Sequence, residues 1–88
     1  MPFETRILGP GEARVLARVL PGVFDHQVDL ARAAEFLADP RHHLAVAVED
    51  GAVIGFASGV DYIHPDKPRE LWIDEVGVAP ERQGQGVG

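Results

Sequence analysis

The last six residues of the chain place three glycines at alternate positions, in the order Gln83-Gly84-Gln85-Gly86-Val87-Gly88. Glycine has no Cβ, so backbone built from alternate glycines can approach a ligand closely. Successive amide N–H groups in such a turn can converge on an anion, and a helix beginning after them would add a favourable dipole. The segment is therefore typical of a phosphate-binding loop, although a flexible glycine-rich segment has the same composition.

Two common phosphate-binding signatures do not fit this loop. The dinucleotide fingerprint G-x-G-x-x-G joins the first strand and helix of a βαβ unit, whereas Gly84 and Gly86 follow several predicted strands, and the sequence ends before the position of the third glycine. The P-loop pattern G-x-x-x-x-G-K-[ST] does not occur in the sequence. A different kind of phosphate-binding loop has to be considered.

A strand over residues 3–8 is followed by two predicted helices. The first covers residues 12–20 and ends at Pro21. The second begins after Asp29, a good N-cap residue, and ends at Asp39, because the residue before a proline is pushed out of the helical region. Apolar residues at helical spacing form the inward faces: Val15, Leu16, Val19 and Leu20 in the first helix, and Leu30, Ala33, Ala34 and Leu37 in the second.

Three further strands are predicted after the helices, over residues 44–48, 52–60 and 71–78. Asp50-Gly51 separates the first two of them and favours a type I′ turn, in which both residues take a positive φ. The element order is β-α-α-β-β-β. It predicts an α+β fold in which the last three strands form an antiparallel meander with the helices packed on it.

The net charge of −6 is unevenly distributed. Residues 1–44 carry six acidic and five basic side chains, and residues 45–88 carry eight acidic and three basic ones. Binding to phosphate backbones requires Lys and Arg clusters, so this distribution disfavours a nucleic-acid partner. It favours a cationic small molecule such as an amine, although solubilising surface charge would give the same numbers.

Several classes of protein and site are disfavoured by composition. No apolar run approaches the roughly 20 residues of a membrane span, and the N-terminus does not resemble a signal peptide. We therefore expect a soluble, cytoplasmic protein without a membrane partner. There is no cysteine, and His42 and His43 would point to opposite faces of a strand, so no metal site is expected.

Gln83, Gly86 and Gly88 match the pattern Q/R-x-x-G-x-G/A without a gap. Together with the preceding strand, this segment resembles the acetyl-CoA-binding signature of the GNAT superfamily of acyl-CoA N-acyltransferases. The element order also matches the N-terminal half of the GNAT fold. The resemblance covers essentially the whole chain, so residues 1–88 are expected to be one partial GNAT domain that lacks the C-terminal helix-strand half. Over residues 69–78 it is nearest to aminoglycoside 3-N-acetyltransferases of the GNAT type.

The resemblance implies an acetyl-CoA-dependent N-acetyltransferase that acts on a primary amine, such as that of an aminoglycoside-like small molecule. The chain alone is expected to be incomplete as an enzyme. The alternative is a non-catalytic, GNAT-like module for dimerisation or interaction. The resemblance also implies pantetheine contacts from the main chain of Val76 and Val78, and pyrophosphate contacts from the backbone amides of Gln83, Gly84, Gln85, Gly86, Val87 and Gly88.

Acyl transfer to an amine requires a neutral amine and hence a general base. GNAT enzymes often place an acid on the strand before the cofactor loop, so Glu75 is the preferred candidate and Asp74 the second. A solvent-facing strand carboxylate is the structural alternative for Glu75. Strand alternation places Trp72, Asp74 and Val76 on one face and Glu75 on the other, so both acids reach one cleft only if a bulge intervenes.

The last predicted strand, residues 71–78, is expected to expose an apolar edge and an apolar face. Unpaired strand edges and apolar patches are sites of association. We therefore predict a homodimer formed through this strand.

Overall fold

A four-stranded antiparallel sheet, whose strands lie side by side in their order along the chain, forms the centre of the computed structural model, which describes residues 3–88. One α-helix and a short 3-10 segment lie between the first and second strands in the chain, so the mixed α+β class is confirmed. The bounds are β1 Glu4–Leu8, the 3-10 segment Ala13–Ala17, α1 Leu30–Ala38, β2 His42–Glu49, β3 Ala52–Tyr62, β4 Glu70–Val78 and a second 3-10 turn Pro80–Arg82.

The turn between β2 and β3 is the two-residue hairpin that the sequence predicts. Asp50 has a φ of 51° and Gly51 a φ of 78°, and Glu49 faces Ala52 directly across the turn. Positive φ at both central residues is the requirement of a type I′ turn, whose twist matches that of the strands. This local prediction is confirmed.

β4 contains a bulge where it pairs with β3. Ser58 pairs with Glu75 and the next residue, Gly59, pairs with Ile73, so Asp74 has no partner on β3. An extra residue of this kind interrupts the alternation of side chains between the two faces of the sheet. The regular alternation expected over residues 72–77 is therefore wrong at this point.

The helix predicted over residues 12–20 is also wrong beyond residue 17. Only Ala13–Ala17 is helical, as a 3-10 segment, and Arg18 is extended. The N–H of Leu20 donates to the carbonyl of Val53 at 3.0 Å, and the N–H of Val53 donates to the carbonyl of Arg18 at 2.8 Å. These bonds to β3 satisfy backbone groups that a helix would otherwise have paired internally.

Helix α1 begins and ends where the sequence predicts. The Oδ1 atom of Asp29 accepts hydrogen bonds from the N–H of Ala31 at 2.8 Å and of Arg32 at 3.2 Å, which satisfies two unpaired donors of the first turn. Asp39 follows the helix in an extended conformation. Of the four residues predicted for the inward stripe, Ala33 and Leu37 are buried, whereas Leu30 and Ala34 are exposed.

The core lies between the sheet and the layer formed by α1 and the segment before it. The rings of Phe24 and Phe56 stack in this core with their centroids 4.0 Å apart. The buried members are Leu8, Leu16, Val23, Ala33, Leu37, Leu44, Val46, Val53, Phe56 and Ala79. The opposite face of the sheet carries exposed apolar side chains, among them Ile7, Ile73 and Val76.

Candidate active site

The glycine-rich loop is fixed to the sheet at the point where it leaves β4. Ala79 is fully buried, and its N–H donates to the carbonyl of Ile54 on β3 at 2.8 Å. The N–H of Arg82 then donates to the carbonyl of Ala79 at 2.8 Å and closes the 3-10 turn Pro80–Arg82. The start of the loop therefore has a defined position relative to the central strands.

The loop backbone has the conformation that its glycines permit. Gly84 has a φ of 83° and Gly86 a φ of 80°, values that residues with a side chain rarely adopt. A Cβ placed on either glycine would meet no atom within 4 Å, so the space above the backbone is open. The amides of residues 84–88 donate to no backbone carbonyl of residues 3–88, and are thus available to bind an anion.

The end of the loop folds back over the sheet. A Cβ placed on Gly55 would lie 2.7 Å from Cγ1 of Val87, so the absence of a side chain at position 55 makes room for this valine. Val87 and Gly88 line a cavity of about 120 Å³ together with Val76 and Val78 on β4. The fold therefore brings together four of the residues predicted to bind the cofactor, namely Val76, Val78, Val87 and Gly88.

The remaining residues of that predicted set lie outside this small cavity. Gln83, Gly84, Gln85 and Gly86 form the exposed turn of the loop. The Nε2 atom of Gln83 donates to the carbonyl of Val78 at 3.4 Å, a weak bond that turns the side chain back towards β4. Their assignment to the pyrophosphate stays a prediction.

Glu75 lies beside a larger cavity of about 350 Å³ between the sheet and the segment leading into α1. Phe24, Phe36 and Phe56 provide much of its apolar wall, and Ser58 contributes a buried hydroxyl. Asp25, Asp29 and Arg32 place charged groups around it. The cavity is large enough for a small organic molecule and combines an apolar wall with carboxylates.

The bulge determines which carboxylate reaches this cavity. Trp72 pairs with Val60 and Glu75 pairs with Ser58, and residues two apart on β3 share a face, so Trp72 and Glu75 lie on the same face. Asp74 has no partner on β3 and does not line the cavity. The structure thus separates the two candidate bases by position, while the role of either one stays a prediction.

Sequence reasoning missed one interaction at the root of the loop. Nε and Nη2 of Arg82 donate to Oε1 of Glu49 at 3.1 and 2.7 Å, and the side chain of Glu49 is only 8% exposed. The hydrogen bond from Arg82 lowers the pKa of Glu49, and the same bond raises the pKa of Arg82. The two residues are 33 positions apart, so no local pattern relates them.

A model of the acetyltransferase (GNAT) family matches residues 14–88. The chain belongs to the GNAT family. Over 43 residues this GNAT chain is 46% identical to L-2,4-diaminobutyric acid acetyltransferase of Virgibacillus pantothenticus, a match that covers 49% of the chain and 26% of that protein. The resemblance that the loop motif indicated is thereby confirmed.

Solved structures share the fold. An aminoglycoside acetyltransferase from an uncultured soil metagenomic sample, in complex with sisomicin, superposes with a TM-score of 0.78 at 15% identity, over 98% of this chain and 62% of that one. An aminoglycoside N-acetyltransferase in complex with CoA gives a TM-score of 0.67 at 22% identity, over 98% and 61%. The GNAT chain thus spans less than two thirds of the length of these relatives.

Residues 3–88 contain no group of three or more His, Asp or Glu side chains arranged to hold a metal ion. No helix in that range has the length and apolarity needed to cross a membrane.

Proposed function

We propose that this GNAT chain carries the acetyl-CoA-binding part of an N-acetyltransferase that acts on a primary amine of a small molecule in the cytoplasm. The observation that carries the proposal is the loop after β4. It is anchored at Ala79, has two glycines at positive φ and keeps its amides available for an anion. Family membership and the CoA complex of a structural relative support the same assignment.

The residues in and beside the loop fit two parts of acetyl-CoA, the pyrophosphate and the pantetheine arm. The amides of residues 84–88 suit a pyrophosphate, because they donate to no backbone carbonyl of residues 3–88 and open space lies above Gly84 and Gly86. The N–H of Gln83, which the sequence also assigned to the pyrophosphate, donates to the carbonyl of Pro80 at 3.4 Å. β4 is the last strand of the sheet, so one side of its backbone has no strand neighbour among residues 3–88 and can bond an extended ligand. We assign this role to the main chain of Val76 and Val78 and expect the pantetheine arm there.

Acetyl-CoA, when bound, supplies an activated acetyl thioester. An ammonium group must lose a proton before its nitrogen can attack the thioester. We assign to Glu75 the role of the general base that accepts this proton, with Asp74 as the second candidate. In the net reaction the nitrogen gains the bond to the acetyl carbon, the carbon–sulfur bond breaks, and the leaving thiolate takes up the second proton that the nitrogen loses. The cavity beside Glu75 would hold the acceptor, and its carboxylates favour a cationic molecule.

Calorimetry with acetyl-CoA tests the proposal directly. Binding in the micromolar range is expected. The absence of binding at millimolar cofactor would contradict it and favour the second candidate function, a non-catalytic GNAT module, for which the exposed apolar residues of β4 provide the supporting observation. Amine-dependent release of CoA, measured with a diamino acid and an aminoglycoside as separate acceptors, then tests which class of amine is used.

A further inference from the structure

An ion pair joins the glycine-rich loop to the far end of β2. Arg82 is the last residue of the 3-10 turn and immediately precedes Gln83. Its guanidinium donates two hydrogen bonds, at 3.1 and 2.7 Å, to a single oxygen of Glu49, which ends β2 just before the hairpin turn. The loop is thus tied by a side chain to a part of the sheet that is distant in sequence.

Few other contacts constrain the first half of the loop. Ala79 anchors the beginning through its bond to Ile54, and Val87 anchors the end against Gly55. Between these points the N–H of Gln83 donates to the carbonyl of Pro80, and its side chain donates to the carbonyl of Val78, both at 3.4 Å. Both bonds are long, so the 2.7 Å bond from Arg82 to Glu49 is the shorter side-chain link between the start of the loop and the sheet.

We propose that Glu49 is a positioning residue for acetyl-CoA binding, acting through Arg82 to orient the loop that receives the pyrophosphate. The inference rests on the proposed function, and it adds a residue from the turn of the β2–β3 hairpin to the cofactor site. Glu49 is nearly buried, and a buried carboxylate is kept charged by a hydrogen-bonded cation. Removing its charge releases the guanidinium to other positions and leaves the loop less ordered.

Glu81 provides an internal contrast for this proposal. Its Oε1 lies 3.2 Å from Nη1 of Arg82, but its side chain is 63% exposed, compared with 8% for Glu49. Exposed ion pairs contribute little because solvent screens them and the side chains lose entropy. Glu81→Gln therefore removes the same charge from the same guanidinium without removing the buried anchor.

The experiment compares acetyl-CoA binding by calorimetry in wild type, Glu49→Gln and Glu81→Gln. Glu49→Gln should weaken binding about tenfold, in the usual range for coupling between a binding site and a supporting residue. Glu81→Gln should stay within about twofold of wild type, as expected for an exposed pair. Arg82→Lys keeps the positive charge but loses the two hydrogen bonds of the guanidinium, so it should weaken acetyl-CoA binding to an intermediate extent. It serves as the second variant if Glu49→Gln does not fold.

A double-mutant cycle separates positioning from general damage. If Glu49 acts through Arg82, then Arg82→Gln and the double variant Glu49→Gln/Arg82→Gln should bind acetyl-CoA as weakly as Glu49→Gln alone. Losses that add in the double variant would overturn the inference, because the two residues would then act independently. If wild type binds acetyl-CoA and Glu49→Gln binds it equally well, the inference about Glu49 is overturned but the proposed function stands. Failure of wild type to bind acetyl-CoA would overturn both the inference and the proposed function.

Discussion

Glu75 and Asp74 are neighbours in the chain, but they occupy different surroundings. Glu75 lies opposite the buried Ser58 and borders the 350 Å³ cavity. Asp74 is the unpaired residue of the bulge and does not border it. A base has to reach the proton that it removes, so position favours Glu75 for this role.

Replacement of Glu75 by Gln should lower turnover by about 10²- to 10⁴-fold, the usual contribution of a general base. Acetyl-CoA affinity should change little, because the side chain is assigned to the acceptor and not to the cofactor. Amine-dependent release of CoA at saturating substrates measures the first quantity and calorimetry the second. Asp74→Asn is the matched control and should retain turnover. The reverse result would transfer the role to Asp74.

Part of this site could be predicted from the sequence and part could not. The spacing of Gln83, Gly86 and Gly88 is a local pattern, so both the loop and its family were predictable. The bulge at Asp74 depends on how β3 pairs with β4, and strand alternation alone does not reveal such a shift. The pair between Glu49 and Arg82 depends on contact between residues far apart in sequence.

At the scale of elements, the loop after β4 depends on backbone conformations that few residues accept. Gly84 and Gly86 both have positive φ, and open space lies above them. Gly11, in the turn after β1, has a similar φ of 86° and equally open surroundings. The same backbone conformation therefore occurs both inside and outside the proposed site.

Gly86→Ala should lower the free energy of unfolding by about 1–2 kcal/mol, the cost of a left-handed conformation for a residue with a Cβ. Gly11→Ala should cost about the same in thermal melts, since neither position is crowded. We expect a marked loss of acetyl-CoA affinity in Gly86→Ala alone. Equal affinities in the two variants would show that the loop conformation is not needed for binding.

The elements that local signals define were the ones predicted correctly. Asp29 caps α1, and Asp50-Gly51 forms the hairpin turn, because in both cases the nearest residues supply the hydrogen bonds or the φ values. The helix over residues 12–20 failed because Arg18 and Leu20 bond to Val53, far along the chain. Tertiary pairing of this kind overrides helix periodicity.

At the scale of the whole molecule, one face of the sheet is covered and the other is uncovered within residues 3–88. The core lies on the side of α1, while Ile73 and Val76 of β4 are each 62% exposed on the other side. Among residues 3–88, β4 is also an edge strand, so an apolar surface and an unpaired backbone edge occur together there. Such a combination favours association with another chain.

We expect the chain to form a homodimer through β4, as the sequence predicts. Sedimentation velocity should show a dimer that Ile73→Lys shifts towards the monomer, because a buried interface disfavours an unpaired lysine. Ile7→Lys is the matched control. Ile7 is 74% exposed on the same face but lies on β1, at the opposite edge of the sheet, so the dimer should persist. A monodisperse wild-type monomer at high protein concentration would contradict the prediction.

The bulge in β4 also determines where a residue could be deleted from this strand without disturbing the site. Asp74 is the residue of β4 that stands between the partners of Ser58 and Gly59. A chain without it would let Ile73 and Glu75 pair with those same partners as consecutive residues of a regular strand, with every other side chain on its present face. Removal of a residue from the paired stretch between Glu75 and Val78 would instead turn the side chains beyond it to the opposite face. Position 74 is thus a point where the strand can lose one residue while the carboxylate of Glu75 and the loop that follows keep their places.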